Sequence, residues 1–265
     1  MYIQIHNENM YSDMQRRELF HFVFLERFLK ATDAGLYSLK GGVNLRFFLK
    51  SPRYSEDMDL DVFGGGVETL KKNGYKILED VSFHKYLAAY GIIGMEIGDK
   101  DKAKHTDTVQ RFKVNLKTNS GVKLPTKVEF SRRKKEKDFV KMEKVDSEIA
   151  KVYNKIGFIC PHYPVDAAVL QKIQALAGRS ETQARDLFDL DILQSENQLN
   201  QRFIQSNLTS DLLNTAIEKA ENISHEDFKG QVFEYILEEK RDLYSGKKNW
   251  EKLRTRTIGA LYEFA

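Results

Sequence analysis

Cysteine is almost missing from this chain of 265 residues. A single residue, Cys160, excludes an internal disulfide framework and a zinc site built on cysteines, and fits a reducing cytosol. Long apolar runs are missing as well. Nowhere do about eighteen uncharged apolar residues follow one another, and the opening Met-Tyr-Ile-Gln-Ile-His-Asn-Glu-Asn has no basic segment leading into an apolar one. A cytoplasmic protein with no membrane segment is the expectation. Only four prolines occur, and we find no repeat or low-complexity segment. Neither sign of charge dominates: 42 basic residues face 39 acidic ones, for a net charge of +3. The global charge therefore names no partner, and local clusters matter more. The length suits two subdomains, with a boundary near residue 155, where the texture turns helical.

Two short stretches carry the chemistry. In Leu39-Lys40-Gly41-Gly42-Val43-Asn44-Leu45-Arg46 a glycine pair closes an apolar run and leads into another, so the chain is expected to pass from a strand through a tight turn into a helix. The free amides at the start of such a helix can cradle a triphosphate, although an ordinary strand-to-helix turn explains the glycines equally well. In Asp57-Met58-Asp59-Leu60-Asp61-Val62 acids and apolar residues alternate, which in a strand places Asp57, Asp59 and Asp61 on one face. Aspartate is a poor strand former and aligned like charges repel, so the strand calls for a cation. Hard carboxylate oxygens suit Mg²⁺, which is commonly held by one or two carboxylates plus substrate phosphates. Two such ions bridging a nucleotide are the expectation; the plain alternative is a solvated, charged edge strand.

Apolar spacing predicts a helix over residues 11–32, capped by Ser12 or Asp13, in which His21 is a packing or surface residue. Gly64-Gly65-Gly66 forces a loop before a helix from Val67, and residues 76–90 suggest a further helix. Strands are expected over 94–98, 107–118 and 122–131, the last two forming a hairpin around Asn119-Ser120-Gly121. Glu129 points away from its apolar neighbours, either as a third carboxylate beside the aspartates or as a cross-strand partner of Arg111 or Lys113. The basic run Arg132-Arg133-Lys134-Lys135-Glu136-Lys137 follows directly and would suit an RNA backbone or a triphosphate, unless it is merely solvated. Beyond residue 160 the pattern is helical. Lys172 lies beside the apolar stripe of 165–177, as a snorkelling lysine or a ligand contact, and Arg185, Asp186, Asp189 and Asp191 crowd a following helix more densely than surface pairing explains. Three or so amphipathic helices complete the chain, interrupted near 222–224 and 245–246.

Taken together, Lys40-Gly41-Gly42-Val-Asn-Leu-Arg46, Arg53-Tyr-Ser55-Glu-Asp57-Met-Asp59-Leu-Asp61, and Lys172-Ile-Gln-Ala-Leu-x-x-Arg179 with Arg185-Asp186-Leu-Phe-Asp189 resemble the AbiEii/AbiGii nucleotidyltransferase toxins of the DNA polymerase beta-like superfamily, over roughly residues 15 to 195. The resemblance implies an α+β fold: a mixed sheet with flanking helices in residues 1–155, then a helical domain in 156–265 that completes the active site. It implies transfer of a nucleoside monophosphate from an NTP with release of pyrophosphate. Asp57 and Asp59 look like the metal pair, with Mg²⁺ (two ions) or Mn²⁺, and Glu129 is the candidate third carboxylate. Gly41, Gly42 and Ser55 look like the triphosphate cradle, Lys172 like a nucleotide contact, and Asp186 like the acid of the late motif. Lys40 and Arg46 would offset phosphate charge, or else Lys40 ends its strand in solvent and Arg46 pairs with Glu56 or Asp61. The implied partners are an NTP, an RNA acceptor such as tRNA, and a cognate antitoxin, in a toxin–antitoxin or abortive-infection role. Competing expectations are transfer to a small molecule or a protein side chain, and a protein that binds nucleotide or RNA without catalysis.

Overall fold

Alternation of apolar and polar residues at the centre of the sheet decides where everything else sits. The computed structural model describes residues 11–99, 105–132, 139–196 and 198–265, in two compact units: residues 1–43 with 55–162, and residues 44–54 with 163–265.

The first unit is built on a mixed sheet of seven strands: β1 (Tyr37–Lys40), β2 (Met58–Val62), β3 (Ile92–Ile97), β4 (Val109–Thr118), β5 (Lys123–Arg132), β6 (Lys141–Lys144) and β7 (Ile159–His162), in the order β3-β4-β5-β2-β1-β7-β6. The pairs β2/β5 and β1/β7 are parallel and the remaining four antiparallel. Directly opposed residues share a face. Tyr37 faces Val62, Leu39 faces Leu60, Met58 faces Val128 and Leu60 faces Phe130, so one face of the three central strands is continuous and apolar. That face is covered by α1 (Asp13–Ala31), whose Phe28 ring lies 4.9 Å from both Tyr37 and Phe130. The entry to α1 is fixed by a reciprocal cap in which the Ser12 hydroxyl accepts from the Gln15 amide and the Gln15 side chain accepts from the Ser12 amide. Along β4, Gln110, Phe112, Val114 and Leu116 are buried as the alternation predicts.

Two departures from the sequence expectations have local causes. The two helices expected from Val67 and over 76–90 are α3 (Val67–Leu78) and α4 (Val81–Ala88), with the break at 79–80 rather than near 76, because Asp80 caps the second by accepting from the Phe83 amide at 2.8 Å. The second is the pair β6 and β7, which were not expected. They are short, and β7 contains Pro161, which removes a backbone donor and hides the strand from pattern reading. The helix α5 (Ser147–Val152) joins them. His21 is buried, bonded to the Thr126 hydroxyl at 2.8 Å, and its pKa is lowered to about 3, by burial first and by Arg17 second.

The first turn of α2 (Gly41–Phe48) belongs to this unit and its remainder, from Asn44, to the second. The second unit is otherwise helical: α6 (Val165–Gly178), α7 (Ala184–Glu196), α8 (Gln201–Ser206), α9 (Ser210–Glu221), α10 (His225–Gln231), α11 (Arg241–Tyr244) and α12 (Lys247–Tyr262). Ile173, Leu176, Phe188, Leu193, Ile217 and Trp250 lie in its core, and Leu45 and Leu49 join them. The 44–54 segment is woven into this core. The Tyr54 amide donates to the Tyr235 carbonyl and the Leu237 amide to the Pro52 carbonyl, both at 2.8 Å, with an isolated antiparallel bridge from Arg53 to Ile236. No helix among the described residues is long and apolar enough to cross a membrane.

Candidate active site

The face of the sheet opposite α1 is polar, and its centre is Asp59. In the β1/β2 register Asp59 stands opposite Lys40, and in the β2/β5 register it stands opposite Glu129. Asp61 lies two residues on, opposite Ser38 and Ser131, and is 1% exposed. Asp57 precedes the strand. Its Oδ1 accepts from the Lys127 amide at 3.1 Å, and its Oδ2 accepts from the Lys127 ammonium at 2.6 Å.

Each neighbouring acid therefore has a cation. Lys127 serves Asp57, Lys40 pairs with Asp61, and Arg111 grips Glu129 through Nε at 2.7 Å and Nη2 at 2.6 Å. Asp59 is the exception: no hydrogen bond or ion pair reaches its carboxylate among the described residues. Its pKa is pushed up, by burial first; Lys40 and Lys127 pull it down through space, while Glu129 and Asp57 add to the rise. A carboxylate held partly buried among other carboxylates is costly unless something positive joins it.

The glycine pair supplies room for that partner. Strand β1 ends at Lys40 and α2 begins at Gly41, with no intervening loop. Gly41 has φ +68°, and a Cβ there would stand 3.0 Å from Asp59 Oδ2, so a side chain is disfavoured both by backbone conformation and by space. The Ser55 hydroxyl donates to the Asp57 carbonyl at 2.8 Å, shaping the approach to β2. No group of three or more His, Cys, Asp or Glu among the described residues is arranged to hold a metal ion. The residues present instead fit an ion shared between one or two carboxylates and substrate phosphates, which Asp59 would hold with no side chain at Gly41 to crowd it. Glu129 satisfies both of its sequence readings at once, as the neighbour of Asp59 in register and as the cross-strand partner of Arg111.

The second unit holds a different cluster. Lys172, only 9% exposed, donates to Asp186 at 2.9 Å and lies 2.6 Å from Asp189; it is not a snorkelling surface lysine. Asp189 accepts both Nε and Nη2 of Arg53 at 2.7 Å, and Asp186 accepts from Arg179 Nε at 2.7 Å. Burial opposes the charges on all three central groups, but the pairing outweighs it. Asp189 and Asp186 hold the Lys172 pKa above its ordinary value; Lys172 with Arg179 lowers Asp186, and Arg53 with Lys172 lowers Asp189. The crowded acids of α7 are thus explained by ion pairing inside the unit, with Asp191 bonded to Arg256 and Thr257 in the same way. Arg46 donates to the Ser51 carbonyl at 3.2 Å and stacks over the Tyr54 ring at 5.2 Å.

Lys127 was missed as a member of these clusters, and Asp189 stood among the crowded acids without an assigned partner. Lys127 was findable, since it sits two residues from Glu129 and so on the same face of β5. Arg53 opened a motif without an assigned role. Of the basic run, Arg132 donates to the Gly65 carbonyl at 2.9 Å, and Arg133–Lys137 lie outside the described residues.

An acidic strand beside a glycine turn, on a mixed sheet followed by a helical region, is the arrangement expected of a nucleotidyltransferase. The family model described as nucleotidyl transferase AbiEii toxin, type IV toxin–antitoxin system, matches residues 23–260, and the chain belongs to that family. Membership makes it a nucleotidyltransferase toxin, with an NTP as substrate and an antitoxin as counterpart. Solved structures agree in fold. MenT4, a nucleotidyltransferase toxin from Mycobacterium tuberculosis H37Rv, superposes with a TM-score of 0.66 at 16% identity, over 96% of this chain and 85% of its own. JHP933 from Helicobacter pylori gives 0.53 at 18% identity, over 96% and 95%. A putative nucleotidyltransferase from H. pylori gives 0.50 at 18%, over 92% and 98%. At such identities the likeness speaks for the fold alone. No curated protein matches the chain.

Proposed function

We propose that this toxin transfers a nucleoside monophosphate from an NTP to a hydroxyl of an RNA acceptor, with tRNA as the substrate class, in a magnesium-dependent reaction. The observation that carries the reading is Asp59, a partly buried carboxylate with no counter-cation of its own among the described residues, facing a glycine where a side chain would be strained and crowded. Asp59 and Asp57 would hold Mg²⁺, with Glu129 as a further ligand or as the base for the acceptor hydroxyl. Bound there with the nucleotide, the metal supplies charge neutralisation on the phosphates and lowers the pKa of an attacking hydroxyl. The chain's own residues do the positioning. Gly41 and Gly42 present backbone amides to the triphosphate, and Ser55 shapes the turn into the acidic strand. Lys40, held by Asp61, puts a positive charge beside Asp59. Lys172, Asp186 and Arg46 enter the proposal on the family resemblance, as residues whose substitution weakens nucleotide use.

The acceptor is the finest part of the proposal, and the basic run after β5 supports a nucleic acid. The test is transfer of label from each α-labelled NTP, with Mg²⁺, to total cellular RNA, using Asp59→Asn as the control. Label on a tRNA-sized band that disappears in the variant is the expected result. Label on protein or on small molecules would replace the acceptor, and label that persists in Asp59→Asn would overturn the site.

A further inference from the structure

The two oxygens of the Asp57 carboxylate are held in unequal ways by a single residue. Oδ1 accepts from the Lys127 backbone amide, a donor held in place by the pairing of β5 with β2 from the next residue on. Oδ2 accepts from the ammonium of the same lysine, at the end of a flexible side chain that is 31% exposed. One bond orients the carboxylate and the other caps its free oxygen. We propose that Lys127 is a substrate-binding residue of the transferase: its ammonium occupies the place of the metal on Asp57 Oδ2 in the nucleotide-free protein, and moves to the triphosphate when the metal nucleotide arrives.

Three observations favour this over a plain surface ion pair. First, Lys127 and Glu129 lie on the same face of β5, and Glu129 is directly opposite Asp59, so the ammonium stands on the polar face at the candidate site. Second, the other two lysine and arginine partners of the acidic row are tied elsewhere: Lys40 is 14% exposed on a buried Asp61, and Arg111 makes two bonds to Glu129. Lys127 is the cation of the row with a single, exposed partner oxygen. Third, when Lys127 leaves, Asp57 keeps its amide bond and its orientation, so the carboxylate is ready for a ligand without rearrangement. A divalent ion and an ammonium repel each other and compete for one carboxylate oxygen, and a triphosphate arriving with the metal offers the displaced ammonium three or more anionic oxygens.

The inference rests on the reading of Asp57 and Asp59 as the metal site, and the experiment separates the two. Manganese alone is titrated by electron paramagnetic resonance into the full chain as wild type, Lys127→Met, Lys127→Arg and Asp59→Asn. The affinities of the four α,β-methylene nucleoside triphosphates are measured in parallel by calorimetry. In Lys127→Met manganese should bind about tenfold tighter without nucleotide, and the triphosphate that binds wild type should bind about tenfold weaker, each close to 1.4 kcal/mol. In Lys127→Arg, whose guanidinium can hold the carboxylate with two bonds, manganese should bind no better than to wild type; this variant also serves if the methionine protein does not fold. Unchanged or weaker manganese binding in Lys127→Met overturns the proposal. Tighter manganese with unchanged nucleotide affinity overturns it too, because the ammonium then never reaches the phosphates. Loss of manganese binding in Asp59→Asn shows that the metal site stands whichever way Lys127 falls, whereas equal binding in all four proteins removes the site and the inference together.

Discussion

The two units each gather acids and bases into a cluster, and the clusters are built to opposite ends. In the helical unit Lys172, Asp186, Asp189, Arg53 and Arg179 are matched, with both carboxylates 0% exposed and each bonded to cations at 2.6 to 2.9 Å. Nothing there lacks a partner. On the sheet, Asp57, Asp61 and Glu129 are each matched and Asp59, between them, has no such partner among the described residues. The first arrangement holds a chain segment, residues 44–54, on helices α6 and α7; the second leaves negative charge where a ligand can use it. On the proposed function, the completed Arg53–Asp189 pair serves the architecture and the uncompensated Asp59 serves the chemistry.

The sharpest way to break that comparison is to remove the same charge from both clusters. Asp59→Asn should cost about a thousandfold in transfer, the scale on which a group that stabilises reacting charge acts, while thermal unfolding moves to the same temperature or higher. Asp189→Asn should do the reverse to stability, because it takes the buried Arg53 guanidinium's carboxylate away and leaves Lys172 with Asp186 alone; the cost should be ~3–5 kcal/mol in chemical denaturation. If Asp59→Asn unfolds the protein, or Asp189→Asn leaves stability unchanged, the division into chemistry and architecture is wrong.

A second experiment sharpens the architectural half. Replacing Arg53 and Asp189 together, as Arg53→Met with Asp189→Leu, should recover much of the loss caused by either alone, since no charge of the pair is then left buried. Lys172 and Asp186 remain bonded in such a protein. A double variant as unstable as the sum of the singles would mean that the guanidinium fork itself, and not charge balance, holds the 44–54 segment.

Smaller again is the effect of Gly41→Ala. The positive φ and the 3.0 Å approach to Asp59 Oδ2 together should cost about 1–3 kcal/mol of stability, and nucleotide affinity should fall with it. Gly121 also has positive φ but meets nothing within 4 Å, so Gly121→Ala isolates the backbone part. Equal losses in the two variants would show that the close approach at Gly41 adds nothing.

How far the sequence could be read follows the same division. Asp57-Met58-Asp59-Leu60-Asp61 announced a strand with one acidic face because alternation is a local signal, and the α1 cap and the buried face of β4 were legible for the same reason. The pairing of Lys127 with Asp57 spans 70 residues and that of Arg53 with Asp189 spans 136, and no spacing rule reports contacts at such distances. The helical unit was legible as helices but not as a host for residues 44–54, whose attachment depends on backbone bonds to Tyr235 and Leu237 that carry no side-chain signature. Strands β6 and β7 were hidden by their shortness and by Pro161.

The finest test of the comparison is the dependence of stability on pH, because the two clusters carry shifts of opposite sign. Asp186 and Asp189 have lowered pKa values, so the folded state sheds their protons more readily than the unfolded chain; their contribution is complete above the ordinary carboxylate range and is lost as pH falls through the lowered values. Lys172, with a raised pKa, contributes below the ordinary lysine range and ceases to do so as pH rises through its raised value. Asp59 runs the other way. Its raised pKa means that the folded state holds its proton longer, so between the ordinary and the raised value stability falls as pH increases, and the penalty persists above that window in metal-free protein. Urea denaturation of wild type and Asp59→Asn without divalent ions should therefore give curves that converge at acid pH and separate as pH rises, with the variant more stable at neutrality. Magnesium with nucleotide should close the gap by stabilising wild type alone. Parallel curves at every pH would mean that Asp59 carries no unbalanced charge in the folded protein, and that the sheet cluster is as complete as the helical one.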